Sequence, residues 1–220
     1  MAFLIVGAFY INDNWDQIQS TINKALYDTE YSSDVNDNFD ETRRYREVKV
    51  DTCDIHSIPE PNTKANISSD GSLPYFSYTD GLGRVIRVEA EQLQTKKRSG
   101  RLCDNMFPSN QNEKAKNAIG YITGSDDNRG HLIADRFDGV SNAYNITAQH
   151  EIANQKEYNK LEQDLANFIN NGYKVEDFII NVKYESIIDR RPSYYDIYFK
   201  VNNRVYQYRL YNDDRPIERK

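Results

Sequence analysis

Hydrophobic residues in the first sixty positions follow two patterns, which predict one strand and one helix. The opening run, MAFLIVGAFYI, is apolar for about ten residues and predicts a buried strand. Apolar residues then recur every three or four positions, as on one face of an amphipathic helix. They are Trp15, Ile18, Ile22 and Leu26. The stretch SIPEPNTKANISSDGSLP is rich in turn residues. We therefore expect an N-terminal extension over residues 1–60 and a larger domain over residues 61–220.

The larger domain alternates between strand-like and helix-like patterns. YFSYTDGLGRVIRVEAEQL has two β-rich halves around a glycine-containing turn and predicts a hairpin, and AIGYITG predicts a short strand. Helical spacing in NQKEYNKLEQDLANFINNGY predicts one helix that NNG ends. Its apolar face consists of Tyr158, Leu161, Leu165, Phe168 and Ile169. VEDFIINVKYES, SYYDIYFKVN and RVYQYRLYN predict a final β-meander. This order favours an α+β fold on a mainly antiparallel sheet.

The net charge of −6 is concentrated in the N-terminal part. Residues 11–60 contain twelve Asp and Glu against five Lys and Arg, and the remainder is nearly neutral. An acidic total therefore does not exclude a basic groove, since phosphate binding depends on local charge. We expect the extension to be an acidic α/β segment. It is a solvated surface, a fused adaptor, or a shield that mimics phosphate.

Targeting and cysteine patterns leave two alternatives open. The opening run is too short to span a bilayer and lacks the basic n-region and cleavage site of a signal peptide, so a buried strand is expected, with an unusual export signal as the alternative. We expect no membrane span elsewhere. Cys53 and Cys103 either form one disulfide or remain two thiols. Their spacing does not match a zinc site.

Candidate chemistry centres on His131, which follows Arg129 and Gly130 in DDNRGHLIADRF. Asn154 begins the predicted helix, and Glu162 lies eight residues further on, so the two share roughly one helix face. A neutral histidine accepts a proton from water, an amide oxygen suits Mg²⁺, and an arginine stabilises charge on a phosphate. Together they predict metal-assisted phosphodiester hydrolysis. Taken singly, each has an ordinary role as a turn histidine, a helix cap or a solvated carboxylate.

Three motifs resemble those of the DNA/RNA non-specific endonucleases of the ββα-metal (His-Me finger) superfamily. The family has an Asp-Arg-Gly-His-like motif, an N-L-x-P-Q segment, and L-N-x-x-x-[WY]-x-x-L-E on a helix. This chain has DDNRGHLIA, NITAQ and ANQKEYNKLE in that order. YTDGLGRVIRVEAEQL and VKYES…RRPSYYDIYFKV are similar to the hairpin and terminal strands of the bacterial toxin-type branch. The likeness covers roughly residues 74–212 and implies a ββα-metal nuclease core.

The resemblance implies a role for each matching residue. His131 would be the general base, and Asn154 would be the direct ligand of Mg²⁺, with Mn²⁺ as an alternative ion. Glu162 would hold a metal-bound water, and Arg129 would contact the scissile phosphate. Asn145 would organise its loop.

The chain also departs from the family's pattern. Asn128 stands where the longer motif has Asp, Ala148 replaces the usual Pro, and Ala166 stands where many members have an arginine that faces the phosphate. Arg136 is one candidate replacement for that arginine. The other candidates form a basic cluster, which either binds nucleic acid or is a solvated loop. The cluster consists of Lys96, Lys97, Arg98 and Arg101.

The leading hypothesis is a metal-dependent endonuclease that cuts DNA, and RNA as a second substrate, with little sequence preference. The toxin-type branch implies secretion or delivery to a target cell and an immunity or inhibitor protein as partner, and the cytoplasm is the alternative location. Two other hypotheses stay open: an inactive nuclease-fold protein that binds nucleic acid or is structural, and a sequence-specific nicking enzyme. His56 and His150 lie outside the motifs, and we expect them to pack or to lie at the surface.

Overall fold

A computed structural model describes residues 44–54, 58–69, 73–100, 103, 126–187 and 189–220. The chain divides into two compact units, Met1–Arg43 and Arg44–Lys220, and the description below concerns the second. The predicted N-terminal strand and helix and the strand AIGYITG lie outside the described residues.

In the described part of the chain, ten strands form one large sheet and one small sheet. They are β1 (Arg46–Val48), β2 (Thr63–Asn66), β3 (Tyr75–Thr79), β4 (Val85–Leu93), β5 (Asp127–His131), β6 (Ile146–His150), β7 (Val175–Lys183), β8 (Tyr194–Val201), β9 (Arg204–Tyr211) and β10 (Glu218–Arg219). The large sheet has the order β1-β2-β3-β4-β7-β8-β9-β10, and β5 pairs with β6. Only β1 and β2 pair in parallel among the described strands. The predicted α+β fold on a mainly antiparallel sheet is confirmed.

Strand β1 lies before the predicted domain boundary at residue 60, yet it pairs with β2 of the large sheet. Residues 44–54 therefore extend the sheet on which the larger domain is built. The boundary itself stays a prediction.

The β3–β4 turn shows why the DGLGR sequence forms a hairpin. Asp80 accepts hydrogen bonds at Oδ1 from the backbone N–H groups of Leu82 and Arg84, each at 2.9 Å. Gly83 has a φ of +73°, and a Cβ there would overlap the carbonyl oxygen of Pro59. The Arg84 guanidinium is buried and donates to the carbonyl oxygens of residues 186 and 189. The Asp and Arg of this motif therefore hold the scaffold together.

The small sheet continues into the main helix and completes a ββα unit. After β6, residues Ala153–Tyr158 form a π-helical segment that leads directly into α1 (Asn159–Asn170). Leu161 and Leu165 are buried on the helix face that packs into the core. Gly172, at a φ of +81°, follows the helix, and its N–H donates to the Ile169 carbonyl. The helix end predicted from NNG is thus observed.

The core lies between the ββα unit and one face of the large sheet. Along β8, every second residue is buried, as expected for a strand with one face against a core. Buried side chains of β4, β7 and β8 form one cluster with Leu132 of the small layer and Leu161 and Leu165 of the helix. No helix in the described part of the chain is both long and apolar enough to cross a bilayer.

Cys53 and Cys103 form a disulfide, which settles the alternatives that their spacing left open. Their Cα atoms are 5.8 Å apart, and the bond joins residues separated by 50 positions. A cross-link of this span removes conformational freedom from the unfolded chain. Two residues before Cys53, the Asp51 carbonyl accepts a hydrogen bond of 2.6 Å from the side chain of Asn142, in the loop between β5 and β6.

Candidate active site

His131 is the last residue of β5, opposite Ile146 at the start of β6. The chain leaves the sheet directly after it, so the imidazole lies at the end of the hairpin and is half-buried. Its Nε2 atom is 3.1 Å from the hydroxyl oxygen of Ser141. His131 and Ser141 are therefore joined across the loop that connects β5 to β6.

That loop is organised by Asn145, which is fully buried. The Asn145 side chain accepts a hydrogen bond from the Ile133 N–H at 2.9 Å and donates to the carbonyls of Ile133 and Val140 at 2.8 and 2.9 Å. All three bonds satisfy backbone groups that have left the sheet. The arrangement agrees with the expectation that Asn145 organises the loop.

Asn154 and Glu162 both lie on the helical part of the ββα unit, and the π-helical segment changes their relation. In a regular α-helix, eight residues span about 2.2 turns. A π-helical turn contains more residues, so the same eight residues span closer to two whole turns. Because Asn154 lies within the π-helical segment, this wider turn brings Asn154 and Glu162 closer to a common face than the α-helical spacing predicts.

Glu162 is a largely buried carboxylate with a loosely placed cation beside it. Its side chain is 13% exposed, and its Oε2 atom is 3.6 Å from Nε of Arg136. Burial raises the pKa of the Glu162 carboxyl to about 7, although the positive charge of Arg136 opposes this shift. Arg136 is itself 38% exposed, and it contacts the side-chain oxygen of Asn159 at 3.5 Å. The geometry brings Arg136 to the helix carboxylate.

Tyr158 fixes the helix against the end of β5. Its hydroxyl donates a hydrogen bond of 2.5 Å to the carbonyl of Leu132, the residue after His131. The side chain is 3% exposed, and burial raises the pKa of its hydroxyl well above the ordinary value, so the group remains a donor. This bond sets the distance between the His131 end of the hairpin and the helix.

Arg129 lies two residues before His131 on β5, opposite Ala148. Its side chain is half-buried, and burial lowers the pKa of the guanidinium. Gly130 between them has a packing role. A Cβ at Gly130 would overlap the side chain of Gln149 on the neighbouring strand. The glycine of the motif therefore makes room for Gln149, which is 1% exposed.

Two cations of the basic cluster are paired with carboxylates. Lys96 and Arg98 contact the two carboxylate oxygens of Asp135 at 2.7 and 2.6 Å, and Arg98 also lies 3.5 Å from Asp138. These ion pairs connect the segment that follows β4 to the loop between β5 and β6. Lys97 is exposed. Arg101 lies outside the described residues, as does His56. A nucleic-acid-binding role for the cluster stays a prediction.

Several contacts at the site carry no signal in the sequence. Ser141 belongs to an irregular polar stretch, so its approach to His131 cannot be read from spacing. Asp127, 1% exposed, forms two hydrogen bonds of 2.7 and 2.8 Å with the guanidinium of Arg191, 64 residues away. His150 lies beyond the candidate site at the far end of β6 and keeps a buried Nδ1 atom without a hydrogen bond among the described residues.

The donor set suits a metal held mostly by water. Among the described residues, no group of three or more His, Cys, Asp or Glu side chains could enclose an ion. One amide oxygen at Asn154 and one carboxylate at Glu162 leave most positions to other ligands. Mg²⁺ is typically bound in this way, through few protein groups and several waters. The residues present therefore fit such an ion.

Comparison with known proteins adds a family and a fold. Residues 61–203 match the model of the DNA/RNA non-specific endonuclease family. The type VII secretion system protein EssD of Staphylococcus aureus, from strains USA300 and NCTC 8325 / PS 47, is 30% identical over 146 residues. That match covers 63% of this chain and 22% of EssD, so the chain spans less than a quarter of these relatives.

Two solved structures share the fold. NucA from Streptococcus agalactiae with a magnesium ion bound superposes with a TM-score of 0.51 at 14% identity, covering 70% of this chain and 84% of NucA. The same protein with no metal bound gives 0.50 at 16% identity, covering 74% and 84%. The predicted fold and the predicted enzyme class, an endonuclease, are confirmed. With its matching domain spanning most of the sequence, the chain belongs to the DNA/RNA non-specific endonuclease family.

Proposed function

We propose that this chain is a metal-dependent endonuclease that hydrolyses phosphodiester bonds of DNA, with RNA as a second substrate and little sequence preference. The main support is one ββα unit that carries His131 at the end of its hairpin and Asn154 and Glu162 on its helix, within a chain of this family. The Tyr158–Leu132 bond holds these two parts together.

His131 is the general base in this proposal. A neutral imidazole takes a proton from water near neutral pH, and a proton acceptor must lie within hydrogen-bond reach of the water that attacks. The imidazole is half-buried at the end of β5, and its Nε2 atom lies 3.1 Å from the Ser141 hydroxyl oxygen. The imidazole would accept the water's proton as the new P–O bond forms and the bond between phosphorus and the leaving oxygen breaks.

Asn154 would be the direct protein ligand of the metal ion, and Glu162 would hold a water bound to it. Mg²⁺, or Mn²⁺ in its place, would supply positive charge that stabilises the developing phosphate charge and the leaving oxygen. The buried Glu162 carboxyl supports this role, because the one cation recorded beside it among the described residues is Arg136, whose Nε atom is 3.6 Å from Oε2. A cation nearby would favour its ionised form.

Two arginines contact the substrate phosphate. Arg129 precedes His131 by two residues on β5, which points both side chains to the same side of the strand. Arg136 would contact the phosphate in place of the family arginine, whose position is occupied by Ala166 in this chain. Its Nε atom lies 3.6 Å from the carboxylate of Glu162. Lys97 and Arg101 would add contacts to the nucleic-acid backbone, and Lys96 and Arg98 would contribute from their pairs with Asp135.

The disulfide is consistent with secretion or delivery to a target cell. The Cys53–Cys103 disulfide is the type of bond that persists in oxidising compartments. EssD is named as a type VII secretion system protein. A nuclease delivered this way requires protection of the producing cell, so we propose an immunity or inhibitor protein as partner.

Digestion of plasmid DNA tests the function. Wild-type protein with Mg²⁺ should convert the plasmid to a smear, whereas wild type with EDTA and His131→Ala with Mg²⁺ should leave it intact. The matched control is His150→Ala, on the other end of the same hairpin, which should cut at close to the wild-type rate. Folded wild type that leaves DNA and RNA uncut in both Mg²⁺ and Mn²⁺ would contradict the proposal and favour a binding or structural role.

A further inference from the structure

We propose that the pocket between the C-terminal half of α1 and strands β8 and β9 is an accessory site for single-stranded nucleic acid, which holds one base and its neighbouring phosphates. The inference deepens the proposed function and takes the class of ligand from it. It adds a second binding site, apart from His131, Asn154 and Glu162, and it predicts which bases that site favours.

Aromatic rings make up most of the lining of this pocket, whose volume is about 280 Å³. Pockets for drug-sized ligands begin at roughly 300 Å³, so the space suits a single flat group. The rings of Phe199 and Tyr206 stack with their centroids 5.0 Å apart, and Tyr173 is 45% exposed. Every nucleobase has a π-face that can stack on such rings. The aromatic residues of the lining are Phe168, Tyr173, Phe199, Tyr206 and Tyr208.

Two arginines lie beside the ring of Tyr206. The guanidinium carbons of Arg204 and Arg219 are 5.4 and 5.3 Å from its centroid. Both arginines are exposed, and neither forms an ion pair with another residue in the described part of the chain. Their charge is complementary to the backbone phosphates of a strand whose base enters the pocket. This combination of rings and cations favours a nucleic acid as the occupant.

Polar side chains of α1 line the same pocket and could distinguish one base from another. They include Asp164 and Asn167, which are both exposed. An ionised carboxylate only accepts hydrogen bonds. Cytosine carries an amino group that donates to such an acceptor, whereas thymine carries none. Asp164 therefore predicts that the pocket favours cytosine over thymine.

The pocket and the candidate metal site lie on different sides of α1. Glu162 and Asp164 are two positions apart, which is about 200° around the helix axis. A strand that occupies both sites must therefore cross the helix. The pocket should accordingly add to the binding of oligonucleotides without taking part in the chemical step.

Binding to labelled oligonucleotides in EDTA, followed by fluorescence anisotropy, measures the pocket without cleavage. The probes are oligo-dC and oligo-dT of about ten nucleotides. Wild type should bind oligo-dC about fivefold more tightly, and Asp164→Ala should lose that difference. Tyr173→Ala should weaken binding of both probes at least about fivefold, because a stacking ring is lost. Tyr198→Ala is the matched control, since it removes a half-buried tyrosine from the opposite face of β8, and it should bind as wild type does.

Salt dependence tests the two arginines separately from the rings. Each phosphate contact to a single strand contributes about 0.7 to the slope of log affinity against log salt concentration. Arg204→Ala and Arg219→Ala should each reduce that slope by about this amount. Lys200→Ala is the control with the same change of charge, because Lys200 lies on the opposite face of the sheet and pairs with Asp177 at 2.8 Å. Its slope should equal that of wild type.

Each result decides the inference. Wild-type affinity in a folded Tyr173→Ala overturns it and leaves the pocket to an apolar side chain of a protein partner. Unchanged salt slopes in both arginine variants also overturn it, and they decide the question if Tyr173→Ala does not keep the wild-type urea midpoint. Equal binding of oligo-dC and oligo-dT by wild type overturns the role of Asp164.

The plasmid digestion separates this inference from the proposed function. If wild type cleaves plasmid while the pocket variants bind as wild type does, the proposed function stands and this inference fails. If wild type binds oligonucleotides through the pocket but cleaves nothing in Mg²⁺ or Mn²⁺, the site stands and the proposed function fails.

Discussion

Two buried carboxylates of the ββα unit, Asp127 and Glu162, are paired with arginines in different ways. Asp127 and Arg191 form two short bonds of 2.7 and 2.8 Å, and Arg191 also donates to the carbonyl of Asn212 at 2.9 Å. Its hydrogen bonds to the Asp127 carboxylate raise the pKa of the Arg191 guanidinium. Glu162 and Arg136 are 3.6 Å apart, and the pKa of the buried Glu162 carboxyl is about 7.

The difference indicates what each pair is for. The Asp127–Arg191 pair uses two parallel bonds and satisfies both partners, as a fixed structural link does. Among the described residues, the buried Glu162 carboxylate has one recorded cation, Arg136 at 3.6 Å, and such burial is costly unless another group completes its surroundings. We infer that the first pair joins β5 to the end of the large sheet, while the second is kept open for a ligand. The predictions below test that contrast.

The largest expected effect comes from removing Arg191. Arg191→Met leaves the Asp127 carboxylate, which is 1% exposed, without its bidentate partner, and should lower the free energy of unfolding by about 3–5 kcal/mol. Arg136→Met should lower it by less than about 1 kcal/mol, since Arg136 is 38% exposed and its pair is long. Urea denaturation measures both. Equal losses of unfolding free energy would contradict the contrast and show that both pairs are structural.

Loss of the disulfide should destabilise the loop between β5 and β6 more than the opposite end of the small sheet. The double variant Cys53→Ser/Cys103→Ser should lose about 2–4 kcal/mol of unfolding free energy. Hydrogen exchange should quicken at the Ala143 N–H, which bonds to Asp54 beside Cys53, more than at the His150 N–H, which bonds to Asn212 at 2.7 Å.

A reducing agent should reproduce this effect in wild type. The same agent should leave the double variant unchanged, because that variant has no bond to reduce. Uniform quickening of exchange at both amides would mean that the disulfide stabilises the whole domain without preference for the site.

The smallest effect is a pH dependence from Glu162. Its pKa is about 7 when folded against 4.5 ordinarily, so the folded protein holds a proton that the unfolded chain has released between these values. Stability from this group is therefore fully present below pH 4.5 and is lost as pH rises through 7, by about 1–3 kcal/mol. Metal-free wild type should show this fall in urea denaturation between pH 5 and 8.

Glu162→Gln is the control for that measurement, because an amide does not titrate. Its stability should lack this component, and addition of Mg²⁺ should reduce the fall in wild type by favouring the carboxylate. A pH dependence of equal size in Glu162→Gln would assign the effect to other groups.

The sequence predicted those parts of the molecule that depend on local pattern. Alternation and turn residues located the β3–β4 hairpin, whose Asp80 and Gly83 make the bonds and the positive φ that such a turn needs. Helical spacing located Leu161 and Leu165 on the buried face of α1. Motif order then placed His131, Asn154 and Glu162 within one ββα unit.

Contacts between distant or irregular segments could not be predicted in the same way. The sequence shows that Lys96 and Arg98 are positively charged, and only the folded chain shows that both pair with the carboxylate of Asp135. The π-helical segment at Ala153–Tyr158 is too short for its sequence pattern to distinguish it from the α-helix that follows. Arg191 reaches Asp127 across 64 residues, which no local pattern records.

The pairing of β4 with β7 has a consequence for how the protein is made. These neighbours in the sheet are separated along the chain by the whole ββα unit and its connections, and Arg84 bonds to a carbonyl 105 residues away. Closing so long a loop is entropically costly, and folds dominated by distant pairings form slowly. Most of β7 and β8 must therefore be synthesised before the ββα unit has a sheet to pack against. In a nascent chain, the ββα unit should lack its packed core until these strands have left the ribosome.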